Sequence, residues 1–165
     1  MSKKVKIGNI YVGGGEKIAV QSMCDIKSAK VDEVVKEINE LEALGCDIIR
    51  VSVKDKDDAA ALPFIKKRIS IPLVADIHFD YKLALAAIDG GADKIRINPG
   101  NIGSDEKVEE VARAIKRANI AVRVGSNTGS VEKKYLEKYG KNEISLGESA
   151  LEKVGLNYAE IKDKS

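Results

Sequence analysis

Three arginines occupy equivalent positions in three separate apolar segments of the chain. Arg50 lies in IIRVSV, Arg96 in KIRIN and Arg123 in AVRVG, so apolar residues flank each of them. A guanidinium carries a planar fork of N–H donors that suits bidentate contact with phosphate or carboxylate oxygens. Clustered guanidiniums repel one another unless carboxylates neutralise them, so this set favours a phosphate site, with Lys94 as a fourth candidate cation. The alternative is that each arginine pairs with a carboxylate such as Asp76 or Asp47 and only braces the fold.

An acid and the only histidine of the chain end a neighbouring apolar segment, LVADIHFD. Asp76 and His78 are two residues apart, which places them on the same face of a β-strand. Beside the arginines, such a pair can orient a substrate or transfer a proton. The structural alternative is that His78 makes a hydrogen bond that only closes the strand.

Two loops rich in glycine and asparagine follow strand-like segments and precede helix-like ones. Asn98 opens NPGNIG, and GSNTGS, which contains Asn127, follows the Arg123 segment. Turns of this composition expose backbone N–H groups, and a helix N-terminus favours an anion. Their matching positions after two successive strands strengthen the prediction of a phosphate site.

These residues belong to a chain that repeats one pattern five times: an apolar strand, a turn and an amphipathic helix. Such alternation is typical of βα units that form a parallel sheet. The predicted strands are Ala19–Met23, Asp47–Val53, Leu73–His78, Lys94–Asn98 and Ala121–Gly125. The predicted helices run from Val31 to Leu44, from about Lys56 to Arg68, from about Tyr81 to Asp89, and onward from the N-cap Ser104, followed by Val131–Tyr139 and Ile144–Val154. The opening Val5–Val12 is predicted to form a hairpin or a plug.

Residue alternation within the strands distinguishes between two kinds of parallel sheet. In the second strand Ile49, Val51 and Val53 share one face, whereas Arg50 and Ser52 share the other. The later strands divide in the same way, with one apolar face and one face that carries the polar residues. An open sheet covered by helices on both sides would have apolar residues on both faces. The pattern therefore predicts a TIM-type (β/α) barrel with helices outside and polar groups inside, incomplete at about five of the eight βα units.

The composition excludes several classes of protein. The chain has 165 residues, 44% of them hydrophobic and 33% charged, which predicts one packed domain over 1–165. A net charge of +2, 4% aromatic residues and no Trp argue against a nucleic-acid or membrane-surface binder. The sequence contains neither a membrane-length apolar stretch nor a secretory signal, so we expect a soluble cytoplasmic protein. Cys24 and Cys46 lack metal-site spacing, and Cys46, after the helix-ending Gly45, is predicted to be a small buried residue.

Five sequence blocks resemble the 4-hydroxy-3-methylbut-2-en-1-yl diphosphate synthases, in the order that this family has them. The blocks are VQSM, DIIRVSV, LVADIHFD, KIRINPGNIG and RVGSNTGS, of which ADIHFD and RINPGN are the most specific. The likeness extends from about Val5 to about Lys153. It implies an isoprenoid biosynthetic enzyme of the methylerythritol phosphate pathway, whose N-terminal barrel holds 2-C-methyl-D-erythritol 2,4-cyclodiphosphate.

The resemblance also implies the remaining parts of the reaction. The family opens the cyclic diphosphate reductively, with electrons from ferredoxin or flavodoxin that pass through a 4Fe–4S cluster. Three Cys and one Glu of a C-terminal domain hold the cluster, and in a homodimer that domain closes over the barrel of the other subunit. Cys24 and Cys46 match none of those ligands, so we expect no cluster and no other metal on this chain.

Site residues carry over from the family motif by motif. Arg50, Arg96 and Arg123 resemble the arginines that bind the diphosphate. Met23 resembles a residue of the site wall. The residues that resemble polar groups around the substrate hydroxyls and phosphates are Asp76, His78, Asn98 and Asn127. No residue of this chain is assigned a catalytic role.

The chain departs from the family pattern in two places. It stops at Ser165, where the family continues with strands six to eight and the cluster domain, so a truncated N-terminal barrel without reductive activity of its own is expected. Its CDIK stretch after Met23 replaces a segment that is commonly rich in Thr and Asn, which places Cys24 in a loop at the rim of the site.

Two other functions fit parts of the sequence. One is a non-catalytic phosphate-binding module, such as a half barrel that self-associates and so covers its open sheet edges. The other is a different phosphate-handling barrel enzyme, such as a lyase or a pterin-type synthase, which the specific blocks ADIHFD and RINPGN disfavour.

Overall fold

The chain begins with a small hairpin that closes the amino end of a parallel sheet. The computed structural model describes residues 3–125 and 137–138, and in it β1 (Val5–Ile7) pairs antiparallel with β2 (Ile10–Val12). Ile7 is buried against Ile48 and Val74, which lie on the sheet face that points away from the helices. The prediction that Val5–Val12 forms a hairpin or a plug is therefore confirmed, since this hairpin fills that end of the sheet.

Five parallel strands follow in chain order, each hydrogen-bonded to the next. They are β3 (Gln21–Met23), β4 (Ile48–Val53), β5 (Leu73–Ile77), β6 (Lys94–Ile97) and β7 (Ala121–Val124). The helices are α1 (Val31–Ala43), α2 (Lys56–Lys66), α3 (Tyr81–Asp89), α4 (Pro99–Ile102) and α5 (Asp105–Ala118). This order and pairing confirm the predicted incomplete (β/α) barrel. Among the described residues, none of the helices has both the length and the apolar content that crossing a membrane requires.

The ends of several elements differ from the sequence prediction. His78, Asn98 and Gly125 lie just beyond their strands rather than within them. The stretch from Pro99 to Ile102, predicted as a loop, is a short helix, because proline suits the first helical position, where an N–H group has no partner to lose. Asn127 and the predicted helices Val131–Tyr139 and Ile144–Val154 fall outside the described residues, apart from positions 137–138, which are helical.

The two faces of the sheet have opposite character, as the alternation predicted. Ile49, Val51 and Val53 are completely buried in one hydrophobic core that the helices cover. The same core includes Ala75, Ile77, Ile95 and Ile97 of the sheet and Val34, Ile38, Leu62, Ile65, Ala84, Ala87, Val111 and Ile115 of the helices. Because the helices shield one face only, the polar residues of β4, β5, β6 and β7 all lie on the other.

A buried carboxylate fixes the loop between β3 and α1 onto the end of β4. Asp58 is 1% exposed, and its two oxygens accept hydrogen bonds from the backbone N–H groups of Ala29 (3.0 Å) and Lys54 (3.1 Å). The Ser28 hydroxyl donates to the Ser52 carbonyl oxygen at 2.6 Å. These bonds hold the polypeptide that follows Met23, and thereby the carboxyl end of β3, beside β4.

We predict that Asp58→Ala lowers the free energy of unfolding by about 2 kcal/mol, because two backbone donors lose their buried acceptor. Asp57→Ala, in the same helical turn but exposed, is the matched control and should change stability by less than about 0.5 kcal/mol. Urea denaturation followed by circular dichroism measures both. Equal stability of the two variants would show that the Asp58 carboxylate does not fix the loop.

Candidate functional site

The inner face of the sheet carries polar residues in two neighbouring rows. Nearer the carboxyl ends of the strands, Ser52 is aligned with Asp76, Asp76 with Arg96, and Arg96 with Arg123. In the row below, Met23 is aligned with Arg50, Arg50 with Val74, and Val74 with Lys94. The strand register therefore brings the three arginines predicted from sequence onto one surface at the end of the barrel where TIM-barrel sites form.

Asp76 lies between two of these arginines. It is 3% exposed, and its Oδ1 accepts a hydrogen bond from Arg96 Nη1 at 3.0 Å. Its other oxygen, Oδ2, lies 3.7 Å from Arg50 Nε. The bracing interpretation is thus correct for these contacts, but one carboxylate serves both arginines. Asp47, the other suggested partner, instead accepts a hydrogen bond from the Val20 N–H at 2.8 Å.

The second contact that orients Arg50 comes from a sulfur atom. Arg50 Nη2 and Nε donate to the thioether of Met23 at 2.9 and 3.3 Å. A thioether is a weak acceptor without charge, so it directs the guanidinium and does not itself neutralise the charge. Met23 therefore lies on the inner face in contact with Arg50, and its place in the wall of a substrate site stays a prediction.

Positive charge exceeds negative charge on this surface. Arg50, Arg96, Arg123 and Lys94 are its cations, and among residues 3–125 the one carboxylate within ion-pair distance of any of them is Asp76. Burial lowers the pKa of Lys94, and the nearby charges of Arg123 and Arg50 lower it further. An anion placed here would relieve this repulsion, so the surface is suited to bind a polyanion such as a diphosphate.

His78 and Asn98 lie at the ends of β5 and β6, next to the two rows. The Nδ1 atom of His78 is buried and makes no hydrogen bond to any described residue. Nδ1 of His78 therefore makes no hydrogen bond that closes the strand among the described residues. This nitrogen is available to a group that enters the site. Asn98 is buried. Its backbone carbonyl oxygen accepts a hydrogen bond from the Asn101 N–H at 2.9 Å, in the first turn of α4. Asn127, the remaining candidate, lies outside the described residues.

Cys24 is buried in the core, at the base of a cleft that opens beside β3 and β4. It is 2% exposed and packs with the residues between sheet and helices. Burial, with a smaller effect of the Glu37 carboxylate, raises its pKa to about 12, so it is a neutral thiol at physiological pH. Cys46 is buried as predicted, and its thiol donates to the Ile48 carbonyl oxygen at 3.0 Å.

A cleft of about 380 Å³ opens at the carboxyl ends of β3 and β4. Met23 and Ser52 line it together with Ser28, Lys54 and Asp55. It adjoins the polar rows through Met23, whose sulfur contacts Arg50. The loop held by Asp58 therefore forms one side of the approach to the arginines.

Gly125 was predicted as the last residue of the fifth strand and the first residue of the GSNTGS loop, without a contact to Arg96. The structure places it directly after β7 and beside the Arg96 guanidinium. A signal was present, because Gly125 has the same parity as Arg123 and therefore belongs to the inner face.

Comparison with known proteins identifies relatives of nearly the whole chain. A family model described as the GcpE TIM-barrel domain matches residues 2–162. A 4-hydroxy-3-methylbut-2-en-1-yl diphosphate synthase (flavodoxin) from Caldicellulosiruptor saccharolyticus is 55% identical over 157 residues, which are 94% of this chain and 45% of that protein. The protein of the same name from Clostridium perfringens is 55% identical over 154 residues, 93% of this chain and 44% of that protein. The chain thus spans less than half the length of these curated relatives.

Among solved structures, a 7,8-dihydropteroate synthase from Vibrio fischeri superimposes with a TM-score of 0.68. The match covers 96% of this chain and 62% of that structure, with 12% sequence identity. At this level of identity the likeness shows a shared fold alone. It therefore gives no functional support to the pterin-type alternative.

The lowered pKa of Lys94 predicts a pH-dependent cost in stability. In the unfolded chain Lys94 titrates near 10.5, and in the folded chain it titrates lower, so the unfolded state binds more protons between these two values. While Lys94 is charged, its surroundings therefore lower the free energy of unfolding. This loss of stability disappears as the pH rises from the folded-state pKa of Lys94 to its unfolded-state pKa. We predict that Lys94→Met raises the free energy of unfolding at pH 7 and that this gain shrinks towards pH 10.5.

Chemical denaturation at several pH values tests this, with the exposed Lys36→Met on α1 as control. Lys36→Met should show no comparable gain at pH 7. A Lys94→Met protein that is less stable than the parent at pH 7, or a gain that does not depend on pH, would contradict the electrostatic interpretation of the site.

Proposed function

This chain belongs to the GcpE TIM-barrel family, and we propose that it is the substrate-binding barrel of a 4-hydroxy-3-methylbut-2-en-1-yl diphosphate synthase. Its substrate is then 2-C-methyl-D-erythritol 2,4-cyclodiphosphate, which the full-length enzyme opens reductively in the methylerythritol phosphate pathway to isoprenoids. One observation carries the proposal: the inner face of the barrel has four cations, and among the described residues the one carboxylate within ion-pair distance of any of them is Asp76, which contacts Arg50 and Arg96.

In this proposal the arginines have distinct tasks. Arg96 and Arg50 are held by Asp76 before the ligand arrives, so little side-chain entropy is lost when they bind phosphate oxygens. Arg123 and Lys94 add charge that Asp76 does not balance. Because a cyclic diphosphate presents two phosphates in a compact ring, the four cations can surround it from three strands of the sheet, β4, β6 and β7.

The polar groups at the ends of the strands complete the proposed site. His78 Nδ1 is buried and available to a substrate hydroxyl or phosphate oxygen. Asn98 lies at the start of α4, and Asn127 is assigned to the site by its motif alone. We propose these three as substrate-binding residues, together with Met23, and assign none of them a catalytic role.

The reductive chemistry needs a group that the described residues do not fit. A 4Fe–4S cluster requires four ligands, usually thiolates. The whole chain has two cysteines, both enclosed in the core, and the described residues form no group of three or more His, Cys, Asp or Glu that could hold a metal ion. We therefore derive no step of the reaction through a cluster on these residues. In the full-length enzyme we propose that a separate iron–sulfur domain carries it.

The relatives also suggest the partners of the full-length enzyme. Their names specify flavodoxin, and we propose flavodoxin as the electron donor here as well. A homodimer, in which the cluster domain of one subunit meets the barrel of the other, is part of the same proposal.

Thermal unfolding of the purified protein with and without the cyclodiphosphate tests the proposed function. Ligand at a hundred times its dissociation constant should stabilise the fold by about 2.7 kcal/mol and raise the midpoint by several degrees. Arg96→Ala should abolish this rise, because it removes the guanidinium that Asp76 holds in place.

Arg113→Ala is the matched control, since Arg113 lies on α5 and pairs with Glu109 on the exposed helix surface. It should retain the full rise in the unfolding midpoint. The proposal fails if the cyclodiphosphate produces no stabilisation of the parent protein, or if both arginine variants respond to it equally.

A further inference from the structure

Gly125 occupies a position where the backbone is fixed on one side and a guanidinium lies on the other. Its N–H donates to the Ile97 carbonyl oxygen at 2.9 Å, which continues the hydrogen-bond ladder between β6 and β7 by one residue. This bond holds the Gly125 backbone beside β6. Among the described residues, the three atoms nearest to a Cβ added at Gly125 all belong to the Arg96 guanidinium.

The space at Gly125 is too small for a side chain unless Arg96 moves. A Cβ atom built on Gly125 would lie 3.2 Å from Arg96 Nη2, 3.4 Å from Nε and 3.6 Å from Cζ. Contacts of 3.0–3.4 Å are tighter than nine in ten real Cβ contacts and require the neighbour to shift by a few tenths of an ångström. The opposite nitrogen, Arg96 Nη1, donates to Asp76. The guanidinium therefore fits between the Asp76 carboxylate and the bare backbone of Gly125.

Conformational freedom does not explain this glycine. Gly103, in the loop before α5, has a φ of +126° and would be strained with any side chain, whereas the φ of Gly125 is not positive. Alanine can therefore adopt the backbone conformation of residue 125. What the position requires is the absence of a Cβ atom.

We infer that Gly125 is a positioning residue for anion recognition, because its missing side chain lets Arg96 approach β7 while it remains bonded to Asp76. A methyl group at this position displaces the Arg96 guanidinium. The displacement distorts the hydrogen bond from Arg96 to Asp76 or turns the guanidinium away from the ligand. The inference rests on the proposed function, since it takes the Arg96 guanidinium as a group that binds diphosphate.

A double-mutant cycle with inorganic diphosphate as the probe tests the inference by titration calorimetry. Gly125→Ala should weaken diphosphate binding about tenfold, the scale of one charge-assisted hydrogen bond. Against an Arg96→Lys background, which lacks the planar fork, the same substitution should weaken binding less than twofold. In the matched Arg123→Lys background it should again weaken binding about tenfold, because no atom of Arg123 is among the three nearest to the added Cβ.

Two results would overturn the inference: an unchanged affinity of Gly125→Ala, or an equal loss in the Arg96→Lys and Arg123→Lys backgrounds. Circular dichroism checks that each variant is folded. If Gly125→Ala unfolds more easily than the parent, the same substitution should lower the unfolding midpoint less in the Arg96→Lys background, and an equal lowering in both backgrounds would mean that Gly125 acts on the fold rather than through Arg96.

The same cycle measured by urea unfolding separates this inference from the proposed function. If the parent protein binds neither inorganic diphosphate nor the cyclodiphosphate, the proposed function fails. The contact itself is then tested by stability: Gly125→Ala should destabilise the parent and leave the Arg96→Ala protein unchanged. Equal destabilisation in both would reject the role of Gly125 towards Arg96.

Discussion

The ion pairs of Asp76 organise the charged residues on the inner face of the sheet. A carboxylate that is almost completely enclosed holds Arg96 at 3.0 Å and Arg50 at 3.7 Å, and two further cations lie on the same face of the sheet. Removal of a buried partner from such a cluster costs several kcal/mol, because the remaining charges stay desolvated. The folded chain alone also bears the cost of a charged Lys94, whose pKa is lowered first by burial and then by the nearby charges of Arg123 and Arg50. Binding sites commonly retain such a cost because a ligand relieves it.

The packing of the sheet decides where this charge lies. Helices cover one face, and a continuous apolar core there fixes the register of every strand. The β1–β2 hairpin fills the amino end of the other face with Ile7, against Ile48 and Val74. Polar side chains therefore lie on the inner face towards the carboxyl ends, where the Asp58 hydrogen bonds hold the β3–α1 loop beside the site. The position of the site thus follows from the distribution of apolar residues.

Much of this arrangement could be predicted from the sequence, because alternation along a strand reports directly which residues share a face. It predicts that Arg50, Arg96, Arg123 and Asp76 share one face of the sheet, and the strand register has them there. Alternation does not give distances, however, so the sharing of one carboxylate by two arginines was not foreseen, nor was the use of Asp47 by the Val20 N–H.

Other features depend on three-dimensional packing that periodicity does not report. The burial of Cys24 follows from how the β3–α1 loop folds back over the core. The short helix α4 and the space beside Gly125 arise from how neighbouring segments meet after β6 and β7. A glycine at an inner-face position can nevertheless be recognised in the sequence, and it indicates a place where another group approaches the backbone closely.

The central claim is that a preformed cluster of cations, organised by Asp76, receives the two phosphates of a cyclic diphosphate. A crystal structure of the protein with bound 2-C-methyl-D-erythritol 2,4-cyclodiphosphate tests it most directly. The account predicts phosphate oxygens within hydrogen-bonding distance of Arg50, Arg96 and Arg123, with both ion pairs of Asp76 retained. Phosphates bound elsewhere, for example in the cleft beside Lys54 and Asp55, or arginines that abandon Asp76 to reach the ligand, would contradict it.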